Sequence, residues 1–290
     1  MMERVAGAPI SWGVCEVPGW GYQLEPEEVL RQMQELGLRA TEFGPVGFLP
    51  ARPEAKVELL ASFGLSAVGE FVPVVLHDTR VDPLPAVETA LDGLVEAGAD
   101  VVVLAAVTGD RGYGARPELD GDAWRRLALS LDRLSARARD RGITACLHPH
   151  VGTVVESGED IDRVLTSSDV ALCLDTGHAL IGGADPVVIA RDAAERIKHV
   201  HLKDVDLGGA RRVQAGDVGY AAAVAQGMYR PLGRGDVDIA GIVGSLEGAG
   251  YGGWYVLEQD TVLAGRPEGT GPADDVAQSL RFLRSLDAQA

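Results

Sequence analysis

The chain has 290 residues, of which 46% are hydrophobic and 24% charged, and these are ordinary values for a globular protein. They exclude a disordered, collagen-like or coiled-coil chain. Acidic residues outnumber basic ones by 43 to 26, which gives a net charge of −17. Because so negative a surface repels phosphate groups, we expect no nucleic-acid partner and no binding to anionic membranes.

The cysteines and the N-terminal segment bear on where the protein works. Cys15, Cys146 and Cys173 form no C-x-x-C pair, and an odd, scattered set predicts a reducing, cytoplasmic location without a disulfide framework. The chain does not open on a basic segment followed by a long apolar run, and no apolar stretch reaches the roughly 18 residues of a membrane span. We therefore expect neither a signal peptide nor a membrane segment.

Short apolar segments alternate with longer amphipathic segments along the chain. The former predict buried strands, and the latter predict helices, several of which end at a glycine. The predicted strands cover residues 5–12, 40–43, part of 65–76, 100–107, 143–148, 170–175, 199–203 and 253–258. The predicted helices cover residues 26–36, 53–63, 83–97, 121–141, 159–166, 184–196, 238–249 and 274–286.

Eight alternating strand–helix units in a chain of this length predict a single (β/α)8 TIM barrel spanning residues 1–290. A doubly wound sheet is the competing fold, but no G-x-G-x-x-G follows the first strand. The Gly-rich segment Val205–Val237 breaks the rhythm, with a short helix predicted near Tyr220. A connection of this length is usually functional, for example as a lid.

Four ionisable residues lie at or near the C-terminal ends of the last four predicted strands, where barrel enzymes carry their active sites. They are His148, Asp175, His201 and Glu258, and the first three are 27 and 26 residues apart, about one strand–helix unit each. Because apolar residues precede them, an isolated charge there would be costly. Two imidazoles and two carboxylates around one divalent cation would be stable, and this set suits Mn²⁺, Co²⁺, Fe²⁺ or Zn²⁺ better than Mg²⁺.

Each of these residues also has an ordinary structural explanation. A strand histidine is more often a hydrogen-bonded core residue, Asp175 could cap the next helix, and Glu258 could pair with an arginine. The joint pattern favours the metal site, because five of the six histidines lie between His148 and His201. His199, which lies deeper in its strand, is interpreted as structural.

Residues beside the ligands are candidate catalytic groups. His150 and Lys203 each lie two residues after a predicted ligand, hence on the same face of an extended chain, and His178 closes the run D-T-G-H. A lysine at a dry metal site can act as a base or hold an oxyanion. The alternative for Lys203 is a salt bridge to a nearby carboxylate: Asp204, Asp206 or Glu258.

Substrate-binding candidates come from the earlier strands and the irregular segment. Trp12 and Trp20 flank the first loop, Glu42 and Glu70 lie in the second and third strands, and Arg230 lies in the segment 205–237. Aromatic faces combined with carboxylates often hold sugars and cyclitols, whereas a buried tryptophan is more often simply core.

Seven segments resemble the inosose dehydratases, which belong to the sugar isomerase/epimerase superfamily of xylose isomerase-like barrels. They are APISWGVCEVPGWG, TEFGPVGFLP, LHPHVGT, LCLDTGH, HVHLKD, PLGRGDVD and GYGGWYVLEQD. The resemblance implies dehydration of 2-keto-myo-inositol to a trihydroxycyclohexane-dione in inositol catabolism, with Mn²⁺ or Co²⁺ as the metal. It also implies a homodimer or homotetramer, since superfamily members often assemble so.

The resemblance maps the last three superfamily ligands onto Asp175, His201 and Glu258, while the first ligand, usually a glutamate, is His148 here. That difference argues against two-carboxylate epimerisation and favours elimination. Lys203 or Glu258 is the candidate base, and the candidate acids are His178 and His150.

Other functions remain open at this stage. The same site could belong to a ketose isomerase or epimerase, or to a keto-glycoside lyase. A DNA-repair phosphodiesterase is disfavoured by the net charge, and a non-catalytic sugar-binding barrel is disfavoured by the full set of four ligands.

Overall fold

Eight parallel strands close into a barrel in the computed structural model, which describes residues 1–109 and 116–288. The strands of the barrel are β1 (Val5–Gly7), β2 (Ala40–Glu42), β3 (Ser66–Val74), β4 (Val101–Ala106), β5 (Thr144–Leu147), β6 (Ala171–Asp175), β7 (Ile197–Leu202) and β10 (Tyr255–Leu257). The ring closes where β10 pairs with β1, with Val5 opposite Tyr255. The predicted TIM barrel is confirmed.

Helices surround the barrel and cover its strands. They are α1 (Pro26–Glu35), α2 (Pro53–Ser62), α3 (Leu84–Ala97), α4 (Gly121–Asp140), α5 (Gly158–Ser167), α6 (Thr176–Ile181), α7 (Pro186–Asp192), α8 (Leu207–Gln214), α9 (Tyr220–Ala225), α10 (Ile239–Gly248) and α11 (Ala273–Asp287). Strand β4, with the sequence VVVLAA, is buried along its whole length, as expected of a parallel strand covered on both faces. Among the described residues, no helix is long and apolar enough to span a membrane.

Two local predictions from the sequence are wrong, and helix α8 was missed. Strand β1 ends at Gly7, and Pro9–Trp12 form a 3-10 helix, because proline has no N–H to donate to a strand ladder. The helix predicted over residues 184–196 is the shorter α7 followed by a 3-10 turn, Ala194–Arg196. Helix α8 was not predicted, since Gly208 and Gly209 lower the helix propensity of its first turn.

The segment after β7 folds back over the barrel end. Strand β8 (Asp204–Val205) pairs antiparallel with β9 (Tyr229–Arg230), with α8 and α9 between them. The carboxylate of the buried Asp204 accepts hydrogen bonds from backbone N–H groups of the following turn, those of Gly233, Gly235 and Val237 among them. The turn is thereby fixed to β8, and α9 and β9 present Tyr220 and Tyr229 toward the strand ends.

Candidate metal centre and active site

Four side chains from consecutive barrel strands meet at the C-terminal ends of those strands. His148 follows β5, Asp175 ends β6, His201 lies near the end of β7, and Glu258 follows β10. One donor atom from each lies within 4.8 Å of the donor atoms of the other three. The parallel register places Asp175 directly beside His201. These are the four residues that the sequence predicts as metal ligands, and the structure brings them together.

The donor atoms point at one another. His148 Nε2 lies 3.2 Å from Asp175 Oδ2. His201 Nδ1 lies 3.7 Å from the same oxygen and 2.5 Å from Glu258 Oε2. The other oxygen of Asp175, Oδ1, accepts from the backbone N–H of His178 and so caps α6. The local turn therefore fixes one carboxylate oxygen and leaves the second facing the two imidazoles.

The cluster fits a divalent cation. His201 Nδ1 and Glu258 Oε2 are buried and, among the described residues, complete no hydrogen bond despite their close approach. Buried polar atoms are normally satisfied, and a set of two nitrogens and two carboxylates is one that divalent transition metals bind. Burial opposes a charge on His201, but Cys173, Glu258 and Glu42 outweigh it and hold its pKa well above the usual value. A cation would have to displace that proton.

Lys203 stands beside this cluster. Its Nζ lies 3.5 Å from Asp175 Oδ2 and 3.3 Å from Glu258 Oε2, and it forms an ion pair with Asp260. Burial alone would lower the pKa of Lys203, but the three carboxylates, Asp260 foremost, raise it well above the ordinary value. The side chain is therefore a buried ammonium. Its partners differ from the predicted ones in that Asp260 is the main one and Asp175 is another.

Asp260 is a residue that the sequence analysis missed. One of its oxygens contacts Lys203, and the other accepts from the hydroxyl of Tyr220, which lies 2.9 Å from the hydroxyl of Tyr229. Asp260 lies two residues after Glu258, so the same-face argument that singled out Lys203 would have found it. Tyr220 and Tyr229 come from the irregular segment 205–237, where the sequence predicts a short helix near Tyr220 but does not indicate which residues that helix contacts.

His150 and His178 stack against each other with ring centroids 3.7 Å apart. The backbone of Val151 touches both, because its carbonyl accepts from His150 Nδ1 at 2.7 Å and its N–H donates to His178 Nδ1 at 3.4 Å. Burial lowers the pKa of both imidazoles, that of His150 to about 3, with the neighbouring charges reinforcing the effect. Both rings are therefore neutral.

A cavity of about 120 Å³ lies over these groups. Its ionisable lining residues include Glu16, Glu42, His148, His150, Lys203, Glu258 and Asp260. The rest of its lining is mostly apolar and includes Pro9, Ile10, Val14, Pro45, Phe71 and Pro73. Trp20 also lines it, with the indole Nε1 donating to the carbonyl of Thr261. The cavity thus combines ionisable groups with apolar and aromatic side chains.

Only two of the five predicted substrate-binding residues, Trp20 and Glu42, belong to the described cavity wall. Trp12 is fully buried and donates to Gln32, so it is a core residue. Glu70 faces Lys56 at 4.0 Å. Arg230 is exposed and lines a separate surface groove. These three side chains, which come from the 3-10 helix after β1, from β3 and from β9, are not part of the described cavity wall.

The closed barrel and the cavity lined by ionisable groups at its strand ends are the arrangement of a TIM-barrel enzyme that acts on a small molecule. Residues 18–286 match the family described as the xylose isomerase-like TIM barrel. The chain belongs to that family and, within it, to the group that contains the inosose dehydratases. The resemblance noted in the sequence is confirmed.

Three named relatives are similar to this chain in sequence over most of their own length. The inosose dehydratase of Geobacillus kaustophilus is 33% identical over 90% of this chain and 89% of its own. That of Lacticaseibacillus casei is 32% identical over 97% and 95%. The rhizopine catabolism protein MocC of Rhizobium meliloti is 33% identical over 90% and 82%.

Solved structures share the fold at lower identity. A probable 3-DHS dehydratase, AsbF from Bacillus anthracis, aligns with a TM-score of 0.72 and 15% identity over 97% of this chain and 98% of its own. The IolI protein with a bound zinc atom aligns with a TM-score of 0.71 and 14% identity over 99% of this chain and 98% of its own. The 3-keto-D-glucoside 4-epimerase YcjR of E. coli aligns with a TM-score of 0.68 and 19% identity over 97% of this chain and 99% of its own.

Proposed function

We propose that this protein is a metal-dependent dehydratase that removes water from a cyclic polyol ketone of the inosose type. The observation that carries the proposal is the buried cluster His148, Asp175, His201 and Glu258, with the Lys203 ammonium beside it on the floor of the cavity. The inosose dehydratases among the relatives support the same reaction.

The four clustered side chains would hold the cation, and we propose Mn²⁺ or Co²⁺, with Zn²⁺, Fe²⁺ and Mg²⁺ as alternatives. A bound divalent cation supplies Lewis acidity that polarises a ketone and makes the neighbouring C–H bond more acidic. A dry site strengthens this effect, since three of the four residues are at most 2% exposed.

The positions of the side chains favour one distribution of roles. Glu258 lines the cavity and is the candidate base for the C–H proton. The sequence left Lys203 as an alternative base, but three carboxylates hold it as an ammonium. We therefore propose that the Lys203 ammonium stabilises the oxygen on which negative charge develops. We also propose that it donates a proton to the leaving hydroxyl, which departs as water.

His150 and His178 were predicted as candidate acids. Because burial keeps both imidazoles neutral, they are better suited to orienting hydroxyl groups than to giving up a proton. His178 accepts at Nδ1 from the Val151 N–H, so its proton resides on Nε2. Trp20 offers the substrate an aromatic face.

Metal analysis followed by an assay on 2-keto-myo-inositol tests the proposal. The purified protein is expected to hold one divalent ion per chain, to lose turnover on chelation and to regain it with Mn²⁺ or Co²⁺. Proton NMR in D₂O separates the alternatives. Dehydration yields a dione with loss of hydroxyl, whereas an isomerase or epimerase exchanges one C–H and conserves mass. Turnover that survives complete metal removal would refute the proposal.

A homodimer or homotetramer in the cytoplasm stays a prediction of the sequence. Light scattering coupled to gel filtration tests the assembly, and a monomer at micromolar concentration would contradict it.

A further inference from the structure

Glu42, at the end of β2, reaches across to two histidines of β7. Its Oε1 lies 2.8 Å from His199 Nε2 and 3.0 Å from His201 Nε2. Glu42 is 3% exposed, and both imidazoles are fully buried. One carboxylate oxygen thus serves two histidines, one of which belongs to the candidate metal cluster.

The backbone of β3 lies directly against this arrangement. The register between β2 and β3 shifts between Thr41 and Glu42, so that Glu42 pairs with Gly69. A Cβ atom on Gly69 would be in ordinary van der Waals contact with Glu42 Oε1 at 3.4 Å and His199 Cε1 at 3.8 Å, and only its 3.2 Å approach to the carbonyl oxygen of Val101 would be tight. The carboxylate and His199 therefore pack closely against β3 at this position.

The contacts fix which nitrogen of His201 faces the cluster. An ionised carboxylate can only accept hydrogen bonds, so each imidazole must donate from its Nε2–H. With Nε2 committed to Glu42, the atom of His201 that remains for a cation is Nδ1, which faces Asp175 and Glu258.

We infer that Glu42 is a positioning residue that orients His201 and keeps its Nδ1 directed at the cation, and that His199 holds Glu42 in turn. The inference rests on the proposed metal site. It replaces the substrate-binding role that the sequence predicted for Glu42 and gives His199 a specific function. A carboxylate behind a ligating histidine fixes the ring and makes the ligand more basic.

The variant Glu42→Gln tests the inference. Its zinc affinity is measured by competition with a chromophoric chelator. The substitution keeps shape and removes charge, and we expect the affinity to fall on the order of 10- to 100-fold, as for other residues behind metal ligands. Glu70→Gln is the matched control, a buried carboxylate on the next strand, and its affinity should equal that of the wild type. An unchanged zinc affinity in Glu42→Gln together with a raised KM would overturn the inference and restore the substrate-binding role.

Two further readouts separate this inference from the metal proposal itself. Side-chain ¹⁵N NMR of the zinc-loaded wild type should show His201 bound through Nδ1 with a protected Nε2–H, and binding through Nε2 would overturn the inference even if Glu42→Gln failed to fold. Zinc stoichiometry should be one per chain. A stoichiometry of two that falls to one in Glu42→Gln would make Glu42 itself a ligand and contradict the positioning role. Failure of the wild type to bind any metal would instead refute the proposed function.

Discussion

Lys203 Nζ lies 3.3 Å from Glu258 Oε2, and the two residues come from the adjacent strands β7 and β10. The Lys203 ammonium and the Glu258 carboxylate thus lie side by side in the lining of the cavity. In the proposed reaction, Glu258 would accept the C–H proton and the neighbouring Lys203 ammonium would stabilise the negative charge that results. The same ammonium is bound by Asp260, which ties the pair to the segment that carries Tyr220.

Lys203→Met is expected to lower kcat by roughly 10²- to 10⁴-fold, the usual worth of a positioned proton-transfer group, while leaving the metal content unchanged. Because the single substitution leaves Asp260 buried without its cation, the double variant Lys203→Met/Asp260→Asn should be the better-folded one and equally inactive. Lys198→Met, at an exposed position of the same strand, is the control. Wild-type kcat in the double variant would remove Lys203 from the mechanism.

Gly177, in the D-T-G-H run, packs closely against the side chain of Lys203. A Cβ atom there would lie 2.7 Å from Lys203 Cβ and 2.9 Å from Tyr229 Cε1. Gly177→Ala should therefore destabilise the protein by about 1–3 kcal/mol through overpacking and lower kcat as Lys203 shifts. Gly244→Ala, in helix α10 with open space around it, should instead stabilise by roughly 0.4–1 kcal/mol. Equal unfolding curves for the two variants would contradict this account.

Much of the fold was predictable because the strands carry continuous apolar runs. Strand β4 needs no partner information to be identified as buried, and the spacing of Asp175 and His201 follows from the length of one strand–helix unit. The convergence of the four strand-end residues could be predicted for the same reason, since a closed parallel barrel brings equivalent positions together.

The parts that the sequence did not reveal depend on contacts between distant segments. Asp260 acquires its role from Tyr220, 40 residues away. Glu42 acquires its role from His199 and His201, 157 and 159 residues away. Periodicity describes which face a residue occupies, but not which side chain from another strand meets it there.

The loop and helix after β5 should respond to acid. Burial would raise the pKa of Asp160, but hydrogen bonds from Ser157 and Glu156 and the Arg116 guanidinium outweigh it and lower the pKa. A depressed pKa contributes stability above the unfolded value, near 3.9, and this contribution is lost as the pH falls through the folded value.

Accordingly, Asp160→Asn should cost roughly 1–2 kcal/mol in the free energy of unfolding at pH 7, and the difference from the wild type should shrink below about pH 4. Asp162→Asn, at an exposed position of α5, should have little effect at either pH. Urea unfolding across the pH range measures both, and a difference that grew in acid would contradict the capping interpretation.

Trp20 and Arg230 give opposite expectations for substrate binding. Trp20 lines the cavity and Arg230 lines a separate groove. Trp20→Leu should raise KM about tenfold, which corresponds to ~1.4 kcal/mol, and Arg230→Gln should leave KM unchanged. Steady-state kinetics on 2-keto-myo-inositol decides, and a large KM effect in Arg230→Gln alone would relocate the binding site.

Asp175→Asn tests the centre of the account with little structural disturbance. Asparagine keeps the hydrogen bond to the His178 N–H that caps α6, while its amide replaces the carboxylate oxygen that faces His148 and His201. Asp238→Asn, at the cap of α10, controls for the substitution itself. Metal content and turnover are measured together on all three proteins.

We expect about one divalent ion per chain and full turnover in the wild type and in Asp238→Asn, and loss of both in a folded Asp175→Asn. A full equivalent of metal retained in Asp175→Asn, or a metal-free wild type that turns over at its normal rate, would contradict the assignment of this cluster as the catalytic metal centre.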